Sequence, residues 1–313
     1  MKKKQMQNNK VRNFCSIAIF CFVALFFAQN LHAGDNQGGI KQFQQKFAIN
    51  NLNGVIILVG LSSDAKEIQK LFNITIDEVK RVYGLLDASD RNSEVSKVNS
   101  SAGDIKGVKV SWQVLEAFKT AYKLSEWTDG VFDIVANGNN YRSISFDDKS
   151  SMVALRKDNA RVSFDHLIEG LLADYIVTMI KAANMENVLV KVGNVFRGTG
   201  QSINGTWKVE VQEYFATDVQ HVLKLSIIDS GLSAISVTDP KYVNLLNHRT
   251  GQNTRPDCKG AVIIMNEAAL AEGVAYAAFA MGFDEGVKFL EKFNKARGLL
   301  VDSHGQFYKT KGM

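Results

Sequence analysis

Thr128-Asp129-Gly130-Val131-Phe132-Asp133 is the stretch from which the fold can be read. The residues before it have helical spacing. Ser111 can act as an N-cap, and Val114, Leu115, Phe118, Ala121 and Tyr122 recur on one face. Gly130 marks the exit of that helix, where a positive φ costs a residue without Cβ little. Taken alone, the stretch also fits a capped loop that buries Phe132 in the core. Its place among the other segments has to decide between the two.

Upstream, residues 34–46 are polar and rich in Gly and Gln, which predicts a loose start. Val55-Ile56-Ile57-Leu58-Val59 is a short β-branched run, a strand that Gly60 is expected to break. Ile68, Leu71, Phe72, Ile76, Val79, Val82, Tyr83 and Leu86 predict a long helix, interrupted near Asn73-Ile74-Thr75.

Downstream, residues 141–163 read as irregular with short strands, and Leu167 to Met185 as a strong helix. Strands are predicted at 188–192, 207–212, 222–228, 232–237 and 260–265. Asn266 is a plausible cap for a helix reaching Met281, with Gly282 as its stop. A further helix at 283–293 and a hairpin at 299–308 close the chain. Strands and helices do not alternate strictly, so the pattern favours an α+β fold over a doubly wound parallel sheet. Neither a Gly-x-Gly-x-x-Gly run after a strand nor a Walker-type loop occurs.

The first 33 residues read as an export signal. Lys2, Lys3, Lys4, Lys10 and Arg12 precede an apolar run from Phe14 to Ala28, and Leu31-His32-Ala33 fits a cleavage site. At about 15 residues, the run suits a signal peptide and is short for a bilayer span. A retained anchor is the alternative. Cleavage would leave an export product with no membrane span, and localisation to the periplasm is expected if the source is bacterial.

The leader carries five basic residues and no acidic one, so a chain starting at Gly34 has 32 of each sign. The net charge of +5 therefore gives no support for a nucleic-acid partner. Cys258 is the one cysteine after residue 33, which excludes an internal disulfide or a cysteine-rich zinc site in that part. Residues 34–313, about 280 in all, suffice for one domain with a sizeable core.

Three other segments accompany the first. Ser163-Phe164-Asp165-His166-Leu167-Ile168-Glu169-Gly170-Leu171-Leu172-Ala173-Asp174 opens a helix. Asn244-Leu245-Leu246-Asn247-His248-Arg249-Thr250-Gly251 is a polar loop, and Ala271-Glu272-Gly273-Val274-Ala275-Tyr276 lies on a small-residue helix. Glu272 and Tyr276 stand four apart, on one helical face.

In order and spacing, the four segments resemble the FAD:protein FMN transferase family, whose members attach FMN through its phosphate to a Ser or Thr of another protein. The resemblance covers roughly residues 70–300. It implies an α+β fold of mixed or antiparallel sheets packed with helices. It also implies FAD as substrate or ligand, Mg²⁺ as the metal, and an acceptor subunit of a membrane redox complex.

Site residues follow by correspondence. Gly130, Val131, Phe132 and Asp133 would line the flavin site, with Glu169, Gly170 and Gly251 also at the cofactor. Thr250 and Asn244 would sit in the transfer loop as catalytic positions. The metal would be held by the Ile168 carbonyl, Glu272 and Tyr276.

The chain departs from the family pattern at several of these places. Asp165 and His166 replace two small residues, and Ile235 and Val237 replace Thr and Gly. Asn244 replaces a His and cannot act as a base at neutral pH. Tyr276 replaces a small hydroxyl residue, and a neutral phenol is a poor ligand for Mg²⁺. Two alternatives to active transfer therefore stand: a family member that binds flavin or a partner without the reaction, and an exported α+β domain unconnected with flavin.

Overall fold

The computed structural model describes residues 39–213, 221–253 and 257–313. The expected signal segment lies outside the described residues. Eight strands form the main sheet: β1 (Ile40–Ile49), β2 (Leu52–Leu61), β3 (Val188–Val192), β4 (Val195–Thr199), β5 (Ser230–Ser236), β6 (Cys258–Met265), β7 (Arg297–Asp302) and β8 (Phe307–Lys309). Spatial order follows chain order, and every neighbouring pair is antiparallel. The long gaps in sequence between β2 and β3, β4 and β5, β5 and β6, and β6 and β7 hold the helices and the smaller sheets.

Strand alternation sorts the core into two layers. Ile56, Leu58, Val188, Val190, Ile263 and Leu300 face the helices. Their neighbours Ile57, Leu189, Val262, Ile264, Leu299 and Val301 face the other way. That second face is covered by a hairpin of Trp207–Glu213 and His221–Ile227, which packs Trp207, Val209, Val211 and Ile227 on the sheet. The central strands are buried on both faces, and so read as continuous apolar runs.

On the first face lie α1 (Ala65–Leu86), α2 (Glu94–Ser100), α3 (Trp112–Trp127), α4 (Ile168–Ala182), α5 (Ala268–Ala280) and α6 (Phe283–Lys292). Each residue of α5 is buried. Such a helix needs small residues all round, which accounts for its alanines. Gly170 of α4 and Gly231 of β5 have no room for a side chain. A Cβ on Gly170 would lie 2.5 Å from Cα of Ala269, and one on Gly231 would lie 2.4 Å from Cα of Ala268.

Five local expectations are corrected. The chain is a strand from Ile40, paired along its length with β2, where a loose start was expected. Gly60 lies inside β2, opposite Lys41, because pairing overrides its weak strand propensity. α1 runs through Asn73-Ile74-Thr75 unbroken, carried by the buried face of Ile68, Phe72, Thr75, Val79 and Val82.

The other two concern caps. Ser111 is the N-cap of α3 by position, but its hydroxyl bonds the Glu94 carboxylate at 2.8 Å. The cap of α5 is not Asn266. Glu267 takes the N-cap position, and the Asp174 carboxylate of α4 accepts the Ala268 and Ala269 N–H groups, both at 2.9 Å.

Candidate functional site

The helix exit at 128–133 is held by its own hydrogen bonds. Asp129 and Gly130 take φ of 50° and 73°, in line with the glycine's expected role. The Thr128 hydroxyl donates to the Leu124 carbonyl at 2.9 Å and accepts the Phe132 N–H at 3.2 Å. The Asp133 carboxylate accepts N–H groups from Val135 (2.9 Å) and Tyr141 (2.7 Å). Burial pushes its pKa up to about 6, against the pull of those donors. Val131 and Phe132 are buried. Phe132 meets the ring of Tyr276 edge-on, with centroids 5.3 Å apart.

The four segments converge. Gly170 N–H donates to Oε2 of Glu272 at 2.7 Å, joining the start of α4 to α5. His248 N–H donates to the Val131 carbonyl at 3.2 Å, joining the transfer loop to the helix exit. The Tyr276 hydroxyl donates to the Leu246 carbonyl at 2.7 Å, joining α5 to that loop. The ring of Tyr276 is bordered by His166 at 5.2 Å and His248 at 6.2 Å. Burial lowers the pKa of both histidines. That of His166 falls to about 4, helped by the Lys241 charge.

Within the loop, Asn247 is the organiser. Its carbonyl accepts Gly251 N–H at 2.8 Å, and its side chain accepts Thr250 N–H at 3.2 Å. Gly251 has a φ of 70°. Thr250 and Asn244 are exposed. Arg249 reaches out of the loop to Glu285 of α6 and, at 3.5 Å, to Asp129.

A buried charge cluster lies beneath. Glu169 is 4% exposed and Glu272 1%. Lys241 places its ammonium 2.7 Å from Oε1 of Glu169 and 3.5 Å from Oε1 of Glu272. Asn194 N–H donates to the second Glu169 oxygen at 2.9 Å. Gly193 makes room for that carboxylate, since a Cβ there would lie 2.3 Å from it. Burial disfavours the ammonium, but the facing carboxylates outweigh it and hold the Lys241 pKa above the ordinary lysine range.

Gly170, Phe132 and the expected metal donors each have partners within the protein. Gly170, expected at the cofactor, lies against α5, so its missing side chain serves helix packing. Phe132, expected at the flavin, is buried against the ring of Tyr276. The two side chains expected to hold the metal do not fit Mg²⁺. Ile168, whose carbonyl was the third expected donor, opens α4. The Tyr276 hydroxyl is committed to Leu246, and Glu272 faces an ammonium. Among the described residues, no group of three or more His, Cys, Asp or Glu could hold a metal.

On sequence alone Lys241 and Asp239 are passed over, and Asn194 and Asn247 are given no role. The partners of Lys241 lie 72 and 31 positions away along the chain, so no local pattern marks it.

The model of the ApbE family matches residues 54–138 and 135–300, a span that includes all four segments. The chain belongs to the ApbE family. It is similar to the FAD:protein FMN transferase of Haemophilus influenzae, at 18% identity over 268 residues, covering 73% of this chain and 78% of the relative.

Solved structures of the ApbE family share the fold. The flavin transferase ApbE from Vibrio cholerae superposes with a TM-score of 0.75 at 15% identity, over 87% of this chain and 98% of that one. The apo flavinyl transferase ApbE from Pseudomonas stutzeri gives 0.74 at 18% identity, over 87% and 94%. The Thermotoga maritima ApbE protein gives 0.73 at 18%, over 87% and 97%.

Proposed function

We propose that this chain binds FAD at the junction of the four segments and transfers its FMN moiety to a Ser or Thr hydroxyl of an acceptor protein. The observation that carries this reading is their convergence, within a family match that runs through all of them. In the reaction, the acceptor oxygen forms a bond to the FMN-side phosphorus. The bond from that phosphorus to the bridging oxygen breaks, and AMP leaves. The hydroxyl proton goes to a base. Asn244 cannot take it, whereas His248, two residues before Thr250, is kept neutral by burial and can. Thr250 and Gly251 shape the loop that the phosphate would meet. The basic and apolar leader supports action after export to the periplasm, on a subunit of a membrane redox complex.

A second reading, flavin binding without transfer, is favoured by the phenol of Tyr276, whose hydroxyl is turned to the Leu246 carbonyl. Mass spectrometry of an acceptor peptide incubated with FAD and the chain decides between them. A gain equal to the FMN moiety, lost in His248→Ala while FAD fluorescence quenching persists, is the expected outcome. Quenching with no modified peptide would leave the binding reading alone, and neither signal would end both.

A further inference from the structure

Glu169 and Glu272 are two carboxylates from different helices, brought together in the interior. Each has one oxygen taken by a main-chain donor: Asn194 N–H for Glu169 and Gly170 N–H for Glu272. The oxygens that remain both face Lys241, at 2.7 and 3.5 Å from its Nζ.

The lysine is positioned deliberately from behind. Asp239 Oδ1 accepts Lys241 N–H at 2.9 Å, and Asp239 Oδ2 accepts the Asn194 side-chain amide at 2.7 Å. Pro240 opens a short 3₁₀ turn that sets the direction of the stem. The strand turn at Gly193-Asn194, the loop 239–242, α4 and α5 are thus tied into one network around a single ammonium.

We infer that Lys241 is a built-in cation at this site, and that its ammonium takes the place of a divalent metal ion between Glu169 and Glu272. Mg²⁺ requires oxygen donors at about 2.0–2.1 Å in octahedral array and retains several waters. Here the remaining carboxylate oxygens both face Nζ, and the other side chain expected to bind metal, Tyr276, is hydrogen-bonded elsewhere. An incoming divalent ion would have to expel a positive charge that is already paired. A lysine does this work at all divalent-ion concentrations, so ligand binding becomes independent of magnesium. That last consequence rests on the proposed FAD site; the exclusion of metal does not.

Mn²⁺ titration followed by electron paramagnetic resonance tests the exclusion directly. The wild-type chain is expected to show no saturable Mn²⁺ site and no change in Tm between added Mg²⁺ and EDTA. Lys241→Met frees the carboxylates and is expected to bind Mn²⁺ at least about tenfold more tightly, an effect removed by adding Glu272→Gln. One Mn²⁺ bound per wild-type chain and lost in Glu272→Gln would overturn the inference. So would a folded Lys241→Met variant with no gain. If that variant fails to fold, the wild-type titration still decides.

FAD fluorescence quenching by the wild type is expected to be equal in Mg²⁺ and in EDTA, and quenching that requires Mg²⁺ would also overturn the inference. Absence of quenching in both buffers would strike the proposed FAD site and leave the Mn²⁺ result to stand by itself.

Discussion

His166 sits between Tyr242 and Tyr276, with a buried Nδ1 that has no partner in the protein. Its charged form is disfavoured first by burial and then by the Lys241 charge, so its pKa falls from 6.5 to about 4. A folded value below the unfolded one means that the neutral imidazole supports folding. The contribution is full above pH 6.5 and is lost as pH falls through about 4. Urea denaturation at pH 7 and pH 5 should show the wild type losing roughly 2 kcal/mol more than His166→Gln; equal losses would refute the assignment. Gly170→Ala should cost about 1–3 kcal/mol by pressing a methyl group into the α5 backbone. A stable variant that lost only flavin binding would show instead that the glycine serves the ligand.

Between elements, the contact of α4 with α5 sets the site. The Asp174 carboxylate caps α5 and also bonds Nε of Arg197 at 3.0 Å. Asp174→Ala leaves two helix N–H groups and a guanidinium without their acceptor, and should lower stability by about 2–4 kcal/mol in chemical denaturation. Asp174→Asn, which keeps one acceptor, should lose less. Much at this scale was legible in the chain. The strands at 188–192 and 258–265 and the helix at 168–182 fall close to where apolar periodicity put them. The cap of α5 was not legible, because its acceptor comes from a helix 94 positions earlier. Nor was β1, whose polar face hid a strand that only pairing with β2 makes regular.

Across the whole molecule, the sheet carries a core on each face, and the second depends on the hairpin that covers it. Trp207 is buried there, and its Nε1–H donates to the Thr199 carbonyl at 2.8 Å. Trp207→Ala should therefore cost about 3–5 kcal/mol, read as a drop in the denaturation midpoint; a loss under about 1 kcal/mol would mean that the hairpin is dispensable. Residue order alone was sufficient for the α+β class, for most strand and helix positions, and for the likeness to flavin transferases, since periodicity and motif spacing are properties of the chain. It was also enough to predict that Asn244 cannot act as a base and that Tyr276 is a poor ligand for Mg²⁺. Tertiary structure alone decided that Lys241 lies between Glu169 and Glu272, that Gly170 packs on the α5 backbone and that Phe132 packs on Tyr276. Those facts depend on distances between segments tens of residues apart, and a buried charge selects its partner through space rather than along the backbone.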